Sequence, residues 1–210
     1  MAKRITGLQV QKRNNNRLNI YLDGEYAFGL SRYVAAWLQV GQDLTEEKIT
    51  ALMADDAVEA AYQKSTKFIG YRMRTTSEVD KHLTKKGIEP QVIGQVIERL
   101  NENGLLNDEG FAKMWIENRS EFRPRSQRLL ALELRRKGIN SETIQNVIER
   151  TPPEDELAYL AAKKRIRRYE HLDWQDFQRK LGSHLARRGF SYSTIKPVVY
   201  KVWTEKNQDI

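Results

Sequence analysis

The chain has 210 residues, with 36 Lys and Arg against 28 Asp and Glu for a net charge of +8, and it has no cysteine. A disulfide framework and thiolate metal sites are therefore excluded, which suits a reducing cytoplasm. The longest apolar runs, such as Tyr33 to Leu38, fall far short of the roughly 20 residues a membrane helix needs, and the opening Met-Ala-Lys-Arg-Ile has no signal-peptide core. We expect a cytoplasmic protein, a monomer, with no membrane contact.

Charge is uneven along the chain: residues 1–59 hold 7 cations against 8 acids, whereas residues 60–210 hold 29 against 20. All of the positive excess lies in the later part.

Residues 5–30 have strand character. Leu18, Ile20 and Leu22 alternate with polar or amphipathic neighbours, and two turn signals flank them, Asn14-Asn15-Asn16 and Asp23-Gly24. An Asp-Gly pair suits a type I′ hairpin, which needs positive φ at both central residues. The pattern predicts a three-stranded meander. Two short helices follow in this reading, from Ser31 to about Leu38 and from Thr45 to about Ala54, with Thr45 as cap and Glu46 and Glu47 in the favourable first turn.

Beyond residue 56 the periodicity is helical and repeats every 51 residues. The phrases Leu83-Thr-Lys-Lys-Gly-Ile88, Leu134-Arg-Arg-Lys-Gly-Ile139 and Leu185-Ala-Arg-Arg-Gly-Phe190 each read as a helix ending in cations and a glycine stop. Val79/Leu130/Leu181 share a register upstream; Ile93/Ile144/Ile195, Val96/Val147/Val198 and Ile97/Ile148/Val199 share one downstream. Three helices per repeat are expected, near 56–71, 77–86 and 90–102, then 108–120, 125–137 and 141–150, then 152–168, 174–188 and 194–204. Thr75 with Glu78, and Thr151 with Glu154, are spaced for capping boxes; Pro124 and Pro152 fit helix entrances, and Pro197 a first turn. The expected fold is mainly α, three tandem three-helix repeats at 56–104, 105–150 and 151–210 behind a small α+β unit at 1–55.

Burying one Leu or Ile contributes roughly 1.5–3 kcal/mol, whereas an exposed ion pair contributes about 0–1 kcal/mol. The repeated apolar set therefore builds the fold, and the repeated basic set calls for another explanation. Lys85 and Lys86, Arg135, Arg136 and Lys137, and Arg187 and Arg188 precede the three glycines. Cations there can simply compensate helix dipoles, or they can lay a charged side toward a polyanion or an acidic groove. A second element, Arg72-x-Arg74 and Arg123-x-Arg125, stands at two helix entrances where guanidinium and backbone N–H could hold a phosphate or carboxylate together. In the third repeat that register carries Trp174-Gln-Asp176. Its own dense stretch, Lys163, Lys164, Arg165, Arg167 and Arg168, falls on the expected first helix, where a solvated face is the alternative reading.

Catalysis finds no support in motifs: no phosphate loop, nucleophile elbow or distinguishable carboxylate pair is present. We expect no cofactor and no metal. His82, Glu133 and His184 occupy equivalent repeat positions, which lie in separate structural units, and with His171 the histidines read as helix-surface residues. Trp115, Trp174, Trp203, Phe111, Phe177 and Tyr200 read as packing residues rather than base-stacking platforms, with Tyr192 the better stacking candidate.

The threefold Leu-x-[Lys/Arg]-[Lys/Arg]-Gly-[Ile/Phe] phrase, the two Arg-x-Arg elements, the linker Asn103-Gly-Leu-Leu-Asn-Asp108 leading to Phe111-Ala112, and Leu22-Asp-Gly-Glu-Tyr26 together resemble the RecX family of bacterial recombinase regulators. The resemblance covers essentially the whole chain. It implies an elongated, curved array of helix-turn-helix-like modules and a non-enzymatic role in DNA repair, recombination and the SOS response. The implied partner is the RecA filament on DNA, bound in its groove so that ATP hydrolysis, strand exchange and growth are restrained, with weaker or indirect binding to single- or double-stranded DNA. No catalytic residue carries over. A sequence-independent DNA-binding protein acting without a protein partner is the alternative, and an enzyme the third.

Overall fold

The computed structural model describes residues 2–208. They form two compact units: residues up to Arg74 together with Glu78–Leu106, and Thr75–Ser77 together with the chain from Asn107 onward.

The first unit opens with an antiparallel sheet of β1 (Lys3–Gln11), β2 (Asn14–Leu22), β3 (Glu25–Ser31) and a short β4 (Asp43–Leu44) in the order β3-β2-β1-β4. The expected meander thus gains a fourth strand. Asp23 and Gly24 take φ of 52° and 92°, as the hairpin requires. The Asn14–Asn16 stretch is not a turn. Asn14 pairs with Gln11 and the Asn16 carbonyl accepts from Arg32 N, so the reversal falls at Lys12-Arg13 instead.

Of the two short helices expected next, the first is a single 3-10 turn at Val34–Trp37, because β3 runs on to Ser31. The second does not end near Ala54. It continues as α1 (Glu46–Gly70), merging with the expected first helix of the array. The Asp55-Asp56 pair that looks like a break is a tertiary contact: the Asp56 carboxylate accepts from Ser31 N at 2.6 Å and from Arg17 at 2.7 Å. Leu52 in the first half of α1 packs on Ile5, Ile20, Leu22 and Leu30 of the sheet. Ala61 in its second half packs on α2 (Thr76–Thr84) and α3 (Pro90–Glu102) through Val79, Leu83, Ile93, Val96 and Leu100.

In the second unit, α4 (Asp108–Phe122), α5 (Gln127–Arg136) and α6 (Ser141–Ile148) enclose Phe111, Ile116, Leu130, Leu134, Ile144 and Val147. Next come α7 (Glu154–Lys163), α8 (Trp174–Ala186) and α9 (Tyr192–Gln208), around Leu157, Phe177, Leu181, Leu185, Val198 and Val199. Every apolar register predicted from the repeat is at least partly buried, and Val79, Leu130, Leu181, Leu83, Leu134 and Leu185 are fully so.

Three helix starts differ from expectation. Pro153, not Thr151, caps α7, and Glu154 turns to the neighbouring repeat, where it accepts from Gln127 N at the start of α5. Ser126 caps α5, which leaves Pro124 outside the helix with its carbonyl accepting from Arg188. Ser191 accepts from Thr194 N, so α9 opens earlier and Pro197 lies inside it.

The glycine stops serve a second purpose. Gly87, Gly138 and Gly189 have φ of 72°, 80° and 88°, a left-handed conformation that L-residues resist. A Cβ at Gly138 would also collide with the Ser77 side chain, and one at Gly189 with Ser126, whereas Gly87 faces open space. Within the second unit, Thr75 Oγ1 donates to the Lys137 carbonyl at 2.7 Å, and at the next junction Ser126 N donates to the Arg188 carbonyl at 3.0 Å. Thr76 N bonds Asp108 as Gln127 N bonds Glu154. The turns closed by Gly138 and Gly189 are thus each seated on the hydroxyl-bearing start of the preceding middle helix.

Gly87→Ala should cost about 1–2 kcal/mol, the left-handed penalty alone. Gly189→Ala should cost distinctly more because Ser126 must also move, and urea denaturation of the two variants checks the order.

Candidate partner-binding surface

In the first unit, Lys85 and Lys86 are exposed at the end of α2. Arg72 and Arg74 are not the outward pair that their spacing suggests. The Arg72 guanidinium bonds both Glu78 carboxylate oxygens, at 3.1 and 3.2 Å, and Arg74 lies over the Phe68 ring, 3.9 Å from its centroid. His82 stacks on that ring at 4.0 Å and 6° between planes, so it is a packed residue rather than a free surface one. Its pKa is held below the ordinary imidazole value, first by desolvation and then by Lys86, Arg74 and Lys85.

The second unit holds the remaining candidates. Arg135 and Arg136 at the end of α5, and Arg187 after α8, are exposed and without a carboxylate partner among the described residues. Lys137 differs: its ammonium sits 5.2 Å from the Trp115 centroid, and its carbonyl accepts from Thr75. Of the Arg123/Arg125 pair, Arg123 is exposed, while Arg125 pairs with Glu133. Glu133 also accepts from Arg119 at 3.0 Å and from the Trp115 indole at 2.9 Å, so one half-buried carboxylate ties α4, α5 and the chain between them together.

The 163–168 stretch is not one helical face. Helix α7 ends at Lys163, and Ile166–Arg168 form a 3-10 turn. Ile166, Tyr169 and Leu172 fold back onto the third repeat's core, which breaks the helix and leaves Lys164 and Arg168 exposed with Arg165 half-buried.

Arg188 is the residue that sequence placed least well. Its Nε donates to His184 Nε2 at 2.8 Å and its Nη1 to the Pro124 carbonyl at 3.0 Å, which locks it at the junction of the second and third repeats. Burial, and then Arg165, Arg125 and Arg123, weigh against its charge. His184 is buried, contrary to the surface position expected of it, and burial followed by Arg188, Arg165 and Arg187 lowers its pKa to about 4. It is neutral at physiological pH, with Nε2 as acceptor. Only the shared register of His82, Glu133 and His184 hinted that this position is used in every repeat.

Phe111 and Phe177 are buried as expected, and Trp115, Trp174 and Trp203 pack partly buried. Tyr200 departs from its expected packing role: it is 64% exposed, with its ring edge-on to Trp174 at 6.2 Å. Tyr192 is exposed. Among the described residues no group of acids and histidines is placed to hold a metal ion, and no helix is long and apolar enough to cross a membrane.

These features define a class: a tandem three-helix-repeat protein behind a small β-sheet, whose chemistry is concentrated in surface cations. Comparison with known proteins narrows it. The sheet matches the regulatory protein RecX N-terminal domain over residues 3–45, and the repeats match the first, second and third RecX three-helix domains over residues 61–100, 107–148 and 153–199. Regulatory protein RecX of Bacillus subtilis (strain 168) is 32% identical across 98% of this chain and 79% of its own length. A crystal structure of a regulatory protein RecX superposes with a TM-score of 0.76 at 28% identity, covering 93% of this chain and 98% of that one. One of RecX from Lactobacillus salivarius, at 23% identity, shares the fold with a TM-score of 0.62 over 70% of this chain and 97% of that one. The chain belongs to the RecX family of regulatory proteins.

The depressed His184 pKa has a signed consequence. The unfolded chain takes up that proton first, so stability is full above the ordinary imidazole range and falls as pH drops toward about 4. The loss approaches roughly 3 kcal/mol. The thermal midpoint should therefore drop between about pH 7.5 and about pH 5, before most carboxylates titrate, and His184→Gln should flatten that drop.

Proposed function

We propose that this chain regulates recombination by binding the groove of the RecA filament on DNA, restraining ATP hydrolysis, strand exchange and filament growth without chemistry of its own. Family membership supports the regulatory role. The observation that carries the rest is that successive repeats of the second unit present exposed, carboxylate-free guanidinium groups at the same turn, Arg135 and Arg136 in one and Arg187 in the next. Such groups contribute little to stability, so their recurrence points to a partner.

A filament on DNA offers acidic side chains and phosphates at regular intervals, which suits a protein that repeats its cations at regular intervals. Contact with more than one subunit raises the effective concentration of each further contact. A ligand that binds one subunit arrangement better than another also shifts the filament toward it. Subunits that must rearrange during ATP turnover are thereby held. On this reading the protein acts as a monomer, and Lys85, Lys86, Lys164 and Arg168 are further contact candidates.

Adding the protein to DNA-loaded RecA should lower ATP turnover in a dose-dependent way. Arg135→Ala with Arg136→Ala should weaken that inhibition several-fold while leaving the thermal midpoint within about 0.5 kcal/mol of wild type, as expected for surface positions. An unchanged inhibition curve would remove this turn from the contact surface. Tight binding to naked DNA at physiological salt, with no effect on the filament, would favour the DNA-only alternative.

A further inference from the structure

We propose that Arg123, Arg165 and Arg188 form a discrete binding site for backbone phosphate of a nucleic acid at the junction of the second and third repeats. It rests on the reading of the cationic surface as a polyanion contact and names the chemistry that one part of it meets.

The three residues come from different segments: Arg123 from the end of α4, Arg165 from the turn after α7, Arg188 from the turn after α8. None pairs with a carboxylate among the described residues, unlike Arg119 and Arg125, which share Glu133. Arg188 is built in rather than mobile. Two of its donors are committed, to His184 and to the Pro124 carbonyl, and its own carbonyl accepts from Ser126 N. That leaves Nη2 uncommitted on a guanidinium whose position both repeats fix.

Uncompensated cations held this near one another cost electrostatic energy that folding alone does not require. Burial first, and then Arg165, Arg125 and Arg123, act against the Arg188 charge, and of these, among the described residues, only Arg125 already has a carboxylate, Glu133. An anion at the junction relieves all of these repulsions together. Guanidinium groups match the non-bridging oxygens of a phosphate bidentately, and a phosphodiester strand supplies successive negative charges to cations that lie in succession. A carboxylate can pair with two arginines, as Glu133 does with Arg119 and Arg125, but each sits on its own flexible side chain, whereas a phosphodiester backbone carries its charges on one continuous strand. The observations therefore favour a nucleic-acid strand over an acidic peptide.

His184 reports on the site. It faces Arg188 directly and feels Arg165 and Arg187, so removing net positive charge from its surroundings must move its titration upward.

The test uses the full chain, a short oligothymidylate as probe, and the double variant Arg123→Ala/Arg165→Ala, which leaves the structural bonds of Arg188 intact. Wild type should bind with a salt dependence that the variant reduces by about 0.7 unit of slope for each phosphate no longer neutralised on this single-stranded probe, with affinity falling roughly tenfold at low salt. In NMR titrations the His184 midpoint should rise on saturation of wild type and stay in place in the variant. Unchanged affinity and slope in the variant would overturn the site, as would an unmoved His184 under saturating probe. Equal displacement of the probe by poly-glutamate would overturn the assignment to phosphate. The same variant assayed on RecA ATP turnover keeps the two readings apart. Abolished oligonucleotide binding with full inhibition upholds the site while removing it from filament control. Abolished inhibition with intact oligonucleotide binding overturns the site and leaves the filament reading standing.

Discussion

The contact on which the second unit depends is the seating of a glycine-ended helix terminus on a hydroxyl-bearing helix start. The turn after α5 lies on Thr75–Ser77 and the turn after α8 on Ser126. Helix starts expose N–H groups and helix ends expose carbonyls, so opposite ends satisfy each other's backbone without side-chain charge. Only glycine fits these turns, because its left-handed φ closes the helix and its missing Cβ leaves room for the Ser77 and Ser126 side chains. Asp108 and Glu154 then supply a carboxylate to the first N–H of each seated helix start, a geometry also favoured by the helix dipole.

The same geometry shows how the third repeat departs from the pattern. The register position of Thr75 and Ser126 carries Phe177, fully buried in the third repeat's own core. Helix α8 starts earlier, at Trp174 with Asp173 as its cap, so the third repeat lacks the hydroxyl-bearing helix start found at Thr75–Ser77 and Ser126.

One set of three equivalent positions takes a different chemistry in each repeat. Phe68, Arg74 and His82 form an aromatic and cation stack; Arg119, Arg125 and Glu133 form an ion-pair network; Glu170, Asp176 and His184 leave the histidine to bond Arg188 instead. The scaffold is held by apolar ribs worth far more than any of these polar contacts, so the polar positions are free to diverge. At the junction of the second and third repeats this divergence leaves Arg188 bonded to a neutral histidine and a backbone carbonyl instead of a carboxylate.

What the amino-acid order determined by itself was the mainly α class, the three repeats and their apolar registers, the Asp-Gly hairpin and the glycine stops, because each depends on local periodicity or on a backbone conformation few residues tolerate. The tertiary structure alone decided which cations are free. Lys137, Arg188, Arg74 and Arg125 carry the same charges in sequence as Arg135 or Lys85, yet packing against Trp115, His184, Phe68 and Glu133 commits them. It also decided that Asp56 continues a helix instead of ending one, that Glu154 serves another helix than its own, and that His184 is buried and neutral. Each of these outcomes depends on a partner far away in the chain, and no local pattern encodes the identity of that partner.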